Sequence, residues 1–270
     1  MEKERSFYQR LKEKGVSRRD FMKYCTALTA TMGLSSSFVP KVAEVFAAPA
    51  QRPPVVWLHF AECTGCSESL LRSQYPYIDE LVLEVLSVEY HETIMAAAGD
   101  HAEMLWRKVV EEQPGQYIAV IEGSIPAGAG GAYCTIDGHA ALEIARKVCG
   151  SALATVAIGN CAAFGGLPAA APNPTGALPV GNAVPGIQNL INLPGCPANV
   201  ENLTALLVHY LTYQQWPALD SLRRPRFAYP ETIHEECPRE DFFEHGQFVR
   251  AWGDDAHRRG HCLFQMGCKG

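Results

Sequence analysis

The stretch VVWLHFAECTGCSES, residues 55–69, joins a short apolar run to two cysteines that are three positions apart. The run VVWLHF is rich in β-branched and aromatic residues, which predicts a buried strand. Cys63 and Cys66 follow this run directly, so we expect them at the carboxyl end of the strand. A pair with this spacing serves as a disulfide, a thiol-exchange centre or half of a metal site, and the rest of the chain must decide which.

Similar apolar runs recur along the chain and alternate with segments of helical spacing. Further strands are predicted at 81–90, 117–122, 153–158 and, more weakly, 191–195. Helices are predicted at 66–75, 100–113, 137–149 and 199–213, with Asp100 and Asp137 as N-caps. This alternation predicts an α/β fold, a flavodoxin-like doubly wound parallel sheet over residues 52–215. Residues 216–270 have no long apolar period, so we expect an irregular region that needs something other than a large core.

Two more cysteines follow predicted strands. Cys161 lies in AIGNCAAFGG and Cys196 in LPGCPAN, after the fourth and fifth runs. Because open parallel sheets bind ligands beyond the carboxyl ends of their strands, both are expected to join Cys63 and Cys66 at one edge. Four converging thiolates suit a tetrahedral zinc ion or an iron–sulfur cluster. Structural zinc more often uses two CxxC pairs close in sequence, and this chain combines one such pair with two distant cysteines.

A second group of metal-binding residue types lies near the C-terminus. His234 and Cys237 have HxxC spacing, and Cys262 and Cys268 follow in HCLFQMGC. One imidazole and three thiolates suit either zinc or a cluster with one histidine ligand, and the spacing does not favour one over the other.

Two carboxylates border the first group, Glu62 beside Cys63 and Glu122 at the end of the third predicted strand. They are either solvated, or one of them tunes the site or relays protons near it. The other candidate residues are expected to be ordinary structural or surface groups: His59, His91, His209, Cys134 and Cys149.

The first fifty residues differ in charge from the rest of the chain. They carry a net charge of +4, whereas residues 51–270 carry −10, and this acidic balance disfavours nucleic-acid binding. VSRRDFMKY, residues 16–24, resembles the twin-arginine export motif, and an apolar stretch and the small-residue sequence AEVFAAPA follow. Residues 1–50 are therefore expected to be a signal peptide for export to the periplasm, cut between Ala47 and Ala50. Cleavage would leave nine cysteines, an odd number that excludes complete disulfide pairing within the chain.

Taken together, the motifs resemble those of nickel–iron hydrogenase small subunits. They are SRRDFMKYC, ECTGCSES, IEGSIP, GNCAAFGG, PGCP, IHEEC and GHCLFQMGCKG. The resemblance implies a heterodimer with a large subunit that oxidises H2, and a relay of electrons to an acceptor such as a membrane cytochrome b. It implies a proximal [4Fe–4S] cluster on Cys63, Cys66, Cys161 and Cys196. It implies a distal [4Fe–4S] cluster on His234, Cys237, Cys262 and Cys268, in a partial C-terminal iron–sulfur domain over 216–270.

The family also has a medial [3Fe–4S] cluster, whose cysteine ligands and any membrane anchor would lie beyond Gly270. We therefore expect this chain to be a fragment or an unusually short product. Oxygen-tolerant relatives have extra cysteines where this chain has Gly65 and Gly166, which implies an oxygen-sensitive enzyme. Two alternatives remain, an exported binding module stapled by disulfides and a related cluster subunit of a quinone-linked complex.

Overall fold

The structure is a computed structural model that describes residues 6–13, 15–47, 53–73, 78 and 86–268. The chain divides into two compact units, Met1–Ala228 and Tyr229–Gly270. Residues 216–228, which the sequence assigns to the C-terminal region, belong to the first unit. Within that unit the Asn192 N–H donates a hydrogen bond to the Arg223 carbonyl at 2.9 Å.

A five-stranded parallel sheet forms the centre of the first unit. Its strands are β1 (Pro54–His59), β2 (Ser87–His91), β3 (Ile118–Glu122), β4 (Ala154–Ile158) and β5 (Leu190–Leu193). The spatial order is β2-β1-β3-β4-β5 and every neighbouring pair is parallel. This is the strand order of the flavodoxin-like doubly wound fold, so the predicted fold class is confirmed. Of the predicted strand 81–90, positions 81–85 lie outside the described residues. The described part forms β2 from Ser87 onward.

The helices follow in chain order. They are α1 (Phe7–Glu13), α2 (Arg18–Thr31), α3 (Val39–Ala47), α4 (Gly65–Leu71), α5 (Asp100–Glu112), α6 (Ala141–Gly150), α7 (Gly159–Phe164), α8 (Val180–Ala183), α9 (Val200–Tyr213), α10 (Glu240–Glu244) and α11 (Asp255–Arg258). Every residue of β3 and β4 is buried, as expected for strands covered on both faces. Apolar side chains of α5 and α6, such as Trp106 and Ile144, pack in the core with those strands.

The two predicted N-caps are wrong. Asp100 lies inside the first turn of α5, after Gly99 at the N-cap position. Asp137 lies in the turn between two short antiparallel strands, Thr135–Ile136 and His139–Ala140, so α6 begins only at Ala141. The Asp137 carboxylate instead accepts a hydrogen bond from Arg107 at 2.7 Å. Because this hairpin occupies the residues before the helix, Asp137 is too far from the helix to cap it.

Helices α2 and α3 pack against α9, although the sequence assigns them to a separate leader. Val42 and Phe46 of α3 are 0 % and 3 % exposed. Lys41 Nζ lies 4.6 Å from the centre of the Tyr213 ring at the end of α9, and Phe38 lies 6.1 Å from that ring. The described part of the first fifty residues therefore forms helices whose buried side chains pack against α9 within the first unit.

The arginine pair of the leader lies outside this buried face. Arg18 and Arg19 are exposed in the first turn of α2. Ser17 caps this helix, because its Oγ accepts a hydrogen bond from the Asp20 N–H at 3.2 Å. Among the helices of the described residues, none combines the length and the apolar character that crossing a membrane requires.

Two histidines end neighbouring strands and are buried rather than on the surface. His59 ends β1 and His91 ends β2, at 6 % and 0 % exposure, with ring centres 4.7 Å apart. Burial lowers the pKa of His91 to about 4, and the nearby His59 adds to this lowering while Glu122 opposes it. His91 is therefore neutral in the folded chain at neutral pH.

Substitution of Val42 by Asp tests the packing of the leader helices. An aspartate at this fully buried position is expected to release α3 from α9, because an unpaired buried carboxylate is costly. Backbone amides of α9 should then exchange with deuterium about tenfold faster in the full-length chain, as measured by mass spectrometry. Glu44→Gln, on the exposed side of α3, is the matched control and should leave the exchange unchanged. Equal exchange in the Val42→Asp and unmodified chains would show that the helices do not pack there.

The low pKa of His91 predicts a loss of stability in mild acid. Since the folded pKa of about 4 lies below the ordinary 6.5, the unfolded chain binds more protons between these values. The contribution of His91 to stability is complete above pH 6.5 and falls on acidification by about 1 kcal/mol per pH unit. Denaturant midpoints measured from pH 7 to pH 4 should fall less steeply for His91→Gln than for the unmodified chain. Parallel pH profiles would contradict this assignment.

Candidate metal centre

Four thiols from three loops line one cavity at the carboxyl edge of the sheet. The cavity measures about 220 Å³ and is bordered by Cys63, Cys66, Cys161 and Cys196. Cys66 is buried in the first turn of α4, whereas Cys63 and Cys196 are exposed and Cys161 is half-buried. Across the described chain, no three His, Cys, Asp or Glu side chains are grouped as a site for a single metal ion. The structure thus places the four thiols around a space, at the edge where the sequence expects them.

Backbone and side-chain hydrogen bonds tie these loops to one another. The Asn160 N–H donates to the Gly195 carbonyl at 2.8 Å, and the Asn160 side-chain oxygen accepts from the Gly195 N–H at 2.9 Å. Ser69 Oγ donates to the Ala198 carbonyl at 2.7 Å. The segments that carry Cys161, Cys196 and the CxxC pair are therefore held in a common arrangement.

Two glycines leave room for the thiols. A Cβ on Gly159 would lie 2.5 Å from Cys66 Sγ, and one on Gly166 would lie 2.6 Å from Cys161 Sγ. Both residues also have positive φ, 81° and 53°, which disfavours any side chain. In this chain a side chain at either position would approach a thiol sulfur too closely and would need a disfavoured backbone conformation.

Burial raises the pKa of two of the four thiols, Cys66 and Cys161. Burial raises the pKa of Cys66 to about 12, with further contributions from Glu122, Cys161 and Cys63. Burial also raises the pKa of Cys161, and the neighbouring thiols add to it. Free thiolates are thus disfavoured here, so this donor set fits a positively charged group that would bind the sulfurs in their deprotonated form.

The Glu122 carboxylate lies under α4 and is only 2 % exposed. Its Oε1 accepts from the N–H groups of Cys66 and Ser67, at 2.9 and 3.2 Å. Its Oε2 accepts from Trp57 Nε1 at 3.1 Å and from Ser67 Oγ at 2.6 Å. Burial alone would raise the pKa of Glu122, but hydrogen bonds from His59 and Ser67 outweigh it and hold the pKa below its usual value. This carboxylate is therefore ionised and fully hydrogen-bonded, which suits it to tuning rather than to proton uptake.

Glu62 lines the same cavity, but unlike Glu122 its carboxylate is not fully hydrogen-bonded. Its Oε1 accepts a hydrogen bond from Thr64 at 3.3 Å, and its buried Oε2 has no partner among the described residues. Burial raises the pKa of Glu62, and the nearby Glu122 charge raises it further. Of the two carboxylates, Glu62 is the one whose surroundings favour taking up a proton.

The second predicted group lies in the unit Tyr229–Gly270, where ring contacts gather its segments. The Phe243 ring lies 4.7 Å from the His234 ring, 5.8 Å from that of Phe248 and 5.3 Å from that of Phe264. The Cys262 N–H donates to the Gln247 carbonyl at 3.1 Å, which joins the strand-like segments around residues 248 and 262. In that unit Cys262 is buried, Cys237 is half-buried and Cys268 is exposed.

The sequence interpretation missed the residues that support the first site. His59, Ser67 and Trp57 all contact the Glu122 carboxylate, yet none was a candidate ligand in the sequence. The one available signal was that Ser67 follows Cys66 directly. The expectation for Cys149 agrees with the structure, since its thiol is 3 % exposed in the core and burial raises its pKa to about 12.

Comparison with family models gives two matches along the chain. A model of the NADH ubiquinone oxidoreductase 20 Kd subunit matches residues 63–210, which include the four cavity cysteines. A model of the C-terminal part of NiFe/NiFeSe hydrogenase small subunits matches residues 229–270, the second unit.

Similar proteins cover almost the whole chain. The hydrogenase-2 small chain of Escherichia coli K12 is 48 % identical over 256 residues, which are 95 % of this chain and 68 % of that protein. The periplasmic [NiFe] hydrogenase small subunit 1 of Nitratidesulfovibrio vulgaris is 46 % identical, covering 97 % and 82 %. The quinone-reactive Ni/Fe-hydrogenase small chain of Wolinella succinogenes is 45 % identical, covering 96 % and 73 %.

Solved structures agree with these matches. The [NiFeSe] hydrogenase of Desulfomicrobium baculatum superposes with a TM-score of 0.71 at 33 % identity, over 82 % of this chain and 84 % of that one. The [NiFeSe] hydrogenase of Desulfovibrio vulgaris Hildenborough gives 0.70 at 35 % identity, over 82 % and 83 %. With its sheet order, its edge cysteines and relatives of this identity and coverage, the chain belongs to the family of nickel–iron hydrogenase small subunits.

Proposed function

We propose that this chain relays electrons from H2 oxidation in a large subunit to an acceptor, through iron–sulfur clusters held by its two groups of ligands. The observation that carries the proposal is the placement of four thiols, from three loops, around one cavity at the edge of the sheet. When bound, such clusters supply one-electron redox chemistry. The chain's own residues supply the ligands, the hydrogen bonds and the shielding from water that tune it.

Cys63, Cys66, Cys161 and Cys196 would hold a proximal [4Fe–4S] cluster. His234, Cys237, Cys262 and Cys268 would hold a distal [4Fe–4S] cluster in the second unit. The chain spans 68 to 82 % of the relatives named above, and a medial [3Fe–4S] cluster enters the proposal only if ligands follow Gly270. Glu122 would tune the proximal site by its fixed negative charge, and Glu62 would be the group beside it that exchanges protons.

The partner is proposed to be a nickel–iron hydrogenase large subunit, in keeping with the small-subunit names of the relatives. Exposed apolar side chains close to Cys161 in the sequence support this. Phe164 and Leu167 are 45 % and 83 % exposed, and both lie within six positions of Cys161. Exposed large apolar side chains next to a site of this kind fit a surface that another subunit covers.

The proposed location is the periplasm, reached by twin-arginine export. The relative in Nitratidesulfovibrio vulgaris is named periplasmic, and Arg18 and Arg19 of this chain are exposed at the start of a capped helix. The relative in Wolinella succinogenes is named quinone-reactive, which supports a membrane acceptor such as a cytochrome b.

Two other functions are less well supported. A cluster subunit of a quinone-linked complex agrees with the family model over residues 63–210, but hydrogenase relatives match nearly the whole chain. A disulfide-stapled binding module would pair its cysteines, whereas all ten cysteines are free thiols in the structure.

Iron and sulfide analysis of the heterodimer tests the ligand assignment. Cys66→Ser is expected to lower iron and acid-labile sulfide by about four each per heterodimer, because a [4Fe–4S] cluster needs its four ligands. Cys237→Ser should do the same for the distal cluster. Cys149→Ser, which removes a buried thiol from the core, is the matched control and should retain all the iron. Bound zinc without sulfide in the unmodified protein would refute the proposal.

The glycines at the proximal site predict sensitivity to oxygen. The family resemblance implies that oxygen-tolerant members have extra cysteines where this chain has Gly65 and Gly166. A Cβ on Gly166 would lie 2.6 Å from Cys161 Sγ. The heterodimer is therefore expected to stop oxidising H2 when air is admitted to a steady-state assay with an artificial electron acceptor. Sustained turnover in air would show that tolerance does not require those cysteines.

A further inference from the structure

A buried polar cluster lies beneath α4, and Ser67 is its centre. Ser67 Oγ lies 2.6 Å from Glu122 Oε2, 2.9 Å from His59 Nε2 and 3.4 Å from His91 Nε2. Ser67 is 1 % exposed, and the other members are 6 % exposed or less. A buried polar group without partners is costly, so the orientation of each group in such a cluster depends on its neighbours.

The proton positions in this cluster follow from the distances. The Ser67 hydroxyl has one proton, and its shortest contact is to the ionised carboxylate of Glu122, so it donates there. Ser67 Oγ then accepts a hydrogen bond, and His59 Nε2 at 2.9 Å is its nearest donor. His59 Nδ1 is buried and has no partner among the described residues, so the tautomer with its proton on Nε2 satisfies the contacts.

The Glu122 carboxylate in turn fixes the first turn of α4. Thr64, at the N-cap position, makes no capping hydrogen bond with its side chain and has a φ of 61°. Glu122 Oε1 takes over this role from a distant strand, because it accepts from the N–H groups of Cys66 and Ser67. The position of the Cys66 backbone therefore depends on the orientation of this carboxylate.

We propose that His59 is a positioning residue for the Cys66 thiol. Its Nε2 bonds the Ser67 hydroxyl at 2.9 Å and lies 3.4 Å from Glu122 Oε2. That carboxylate in turn holds the N–H of Cys66. The inference rests on the proposed function in one respect, that Cys66 binds an iron–sulfur cluster. It assigns a role to a strand residue that does not itself line the cavity.

A purely structural role for His59 makes a different prediction. Its ring lies 4.7 Å from that of His91 and 6.4 Å from that of Trp57, so it also fills space in the core. If His59 only filled space, side chains of similar size would retain the iron equally well, whatever the position of their polar atoms. A role through Nε2 instead requires a donor at the position of that nitrogen.

The pair His59→Gln and His59→Asn separates these two roles. The amide nitrogen of glutamine can occupy the position of Nε2, whereas that of asparagine reaches only the position of Nδ1, where there is no partner. In the purified heterodimer we expect His59→Asn to release iron to a chelator about tenfold faster than the unmodified protein. His59→Gln should release iron at nearly the unmodified rate.

Tyr117→Phe is a control for general destabilisation. Tyr117 lies just before β3, at the opposite end of the sheet, and its hydroxyl bonds the Val148 carbonyl and Ser151. Its loss should lower the thermal midpoint without changing iron release. If His59→Asn releases iron at the unmodified rate, or His59→Gln releases it as fast as His59→Asn, the positioning role is wrong. A heterodimer with no iron or sulfide would instead refute the proposed function, so the two failures are distinguishable.

Discussion

The rest of the site depends on the hydrogen bonds that the buried Glu122 carboxylate accepts. A charge that is 2 % exposed is stable only where donors replace the water it has lost. Here two backbone N–H groups of α4, the Trp57 indole and the Ser67 hydroxyl all donate to it. Through these bonds the end of β3 is joined to β1 and to the helix that carries Cys66, so strand pairing and thiol placement are parts of one arrangement.

The two units hold their candidate ligands by different means. In the first unit a large core surrounds the sheet, and the ligand loops extend from its carboxyl edge. In the second unit, the buried apolar residues among those described are Val249 and Cys262. Contacts between aromatic rings around Phe243 therefore provide much of the packing there. A unit with so small a core gains stability from a bound metal group or a partner, in agreement with the character that the sequence indicates for this region.

Much of the fold could be predicted because it depends on local patterns. The apolar runs at 117–122 and 153–158 became central strands with bounds within one residue of those expected. The rule that parallel strands direct their following loops to one edge was enough to bring Cys161 and Cys196 to the CxxC pair. The supporting cluster could not be predicted, because the hydrogen bonds to its Glu122 carboxylate join residues 55 to 65 positions apart and depend on strand register. The failure at Asp137 has a related cause, since a two-residue hairpin strand pair precedes the helix and is too short to leave a periodic signal.

The central claim is that Cys63, Cys66, Cys161 and Cys196 together bind one iron–sulfur cluster. Anomalous X-ray scattering at the iron absorption edge, from crystals of the reduced heterodimer grown without oxygen, tests it most directly. We expect anomalous density for about four iron atoms within the cavity between these four sulfurs, and none of comparable strength at the zinc edge. A disulfide between Cys63 and Cys66, or a single zinc ion in place of the iron, would contradict it.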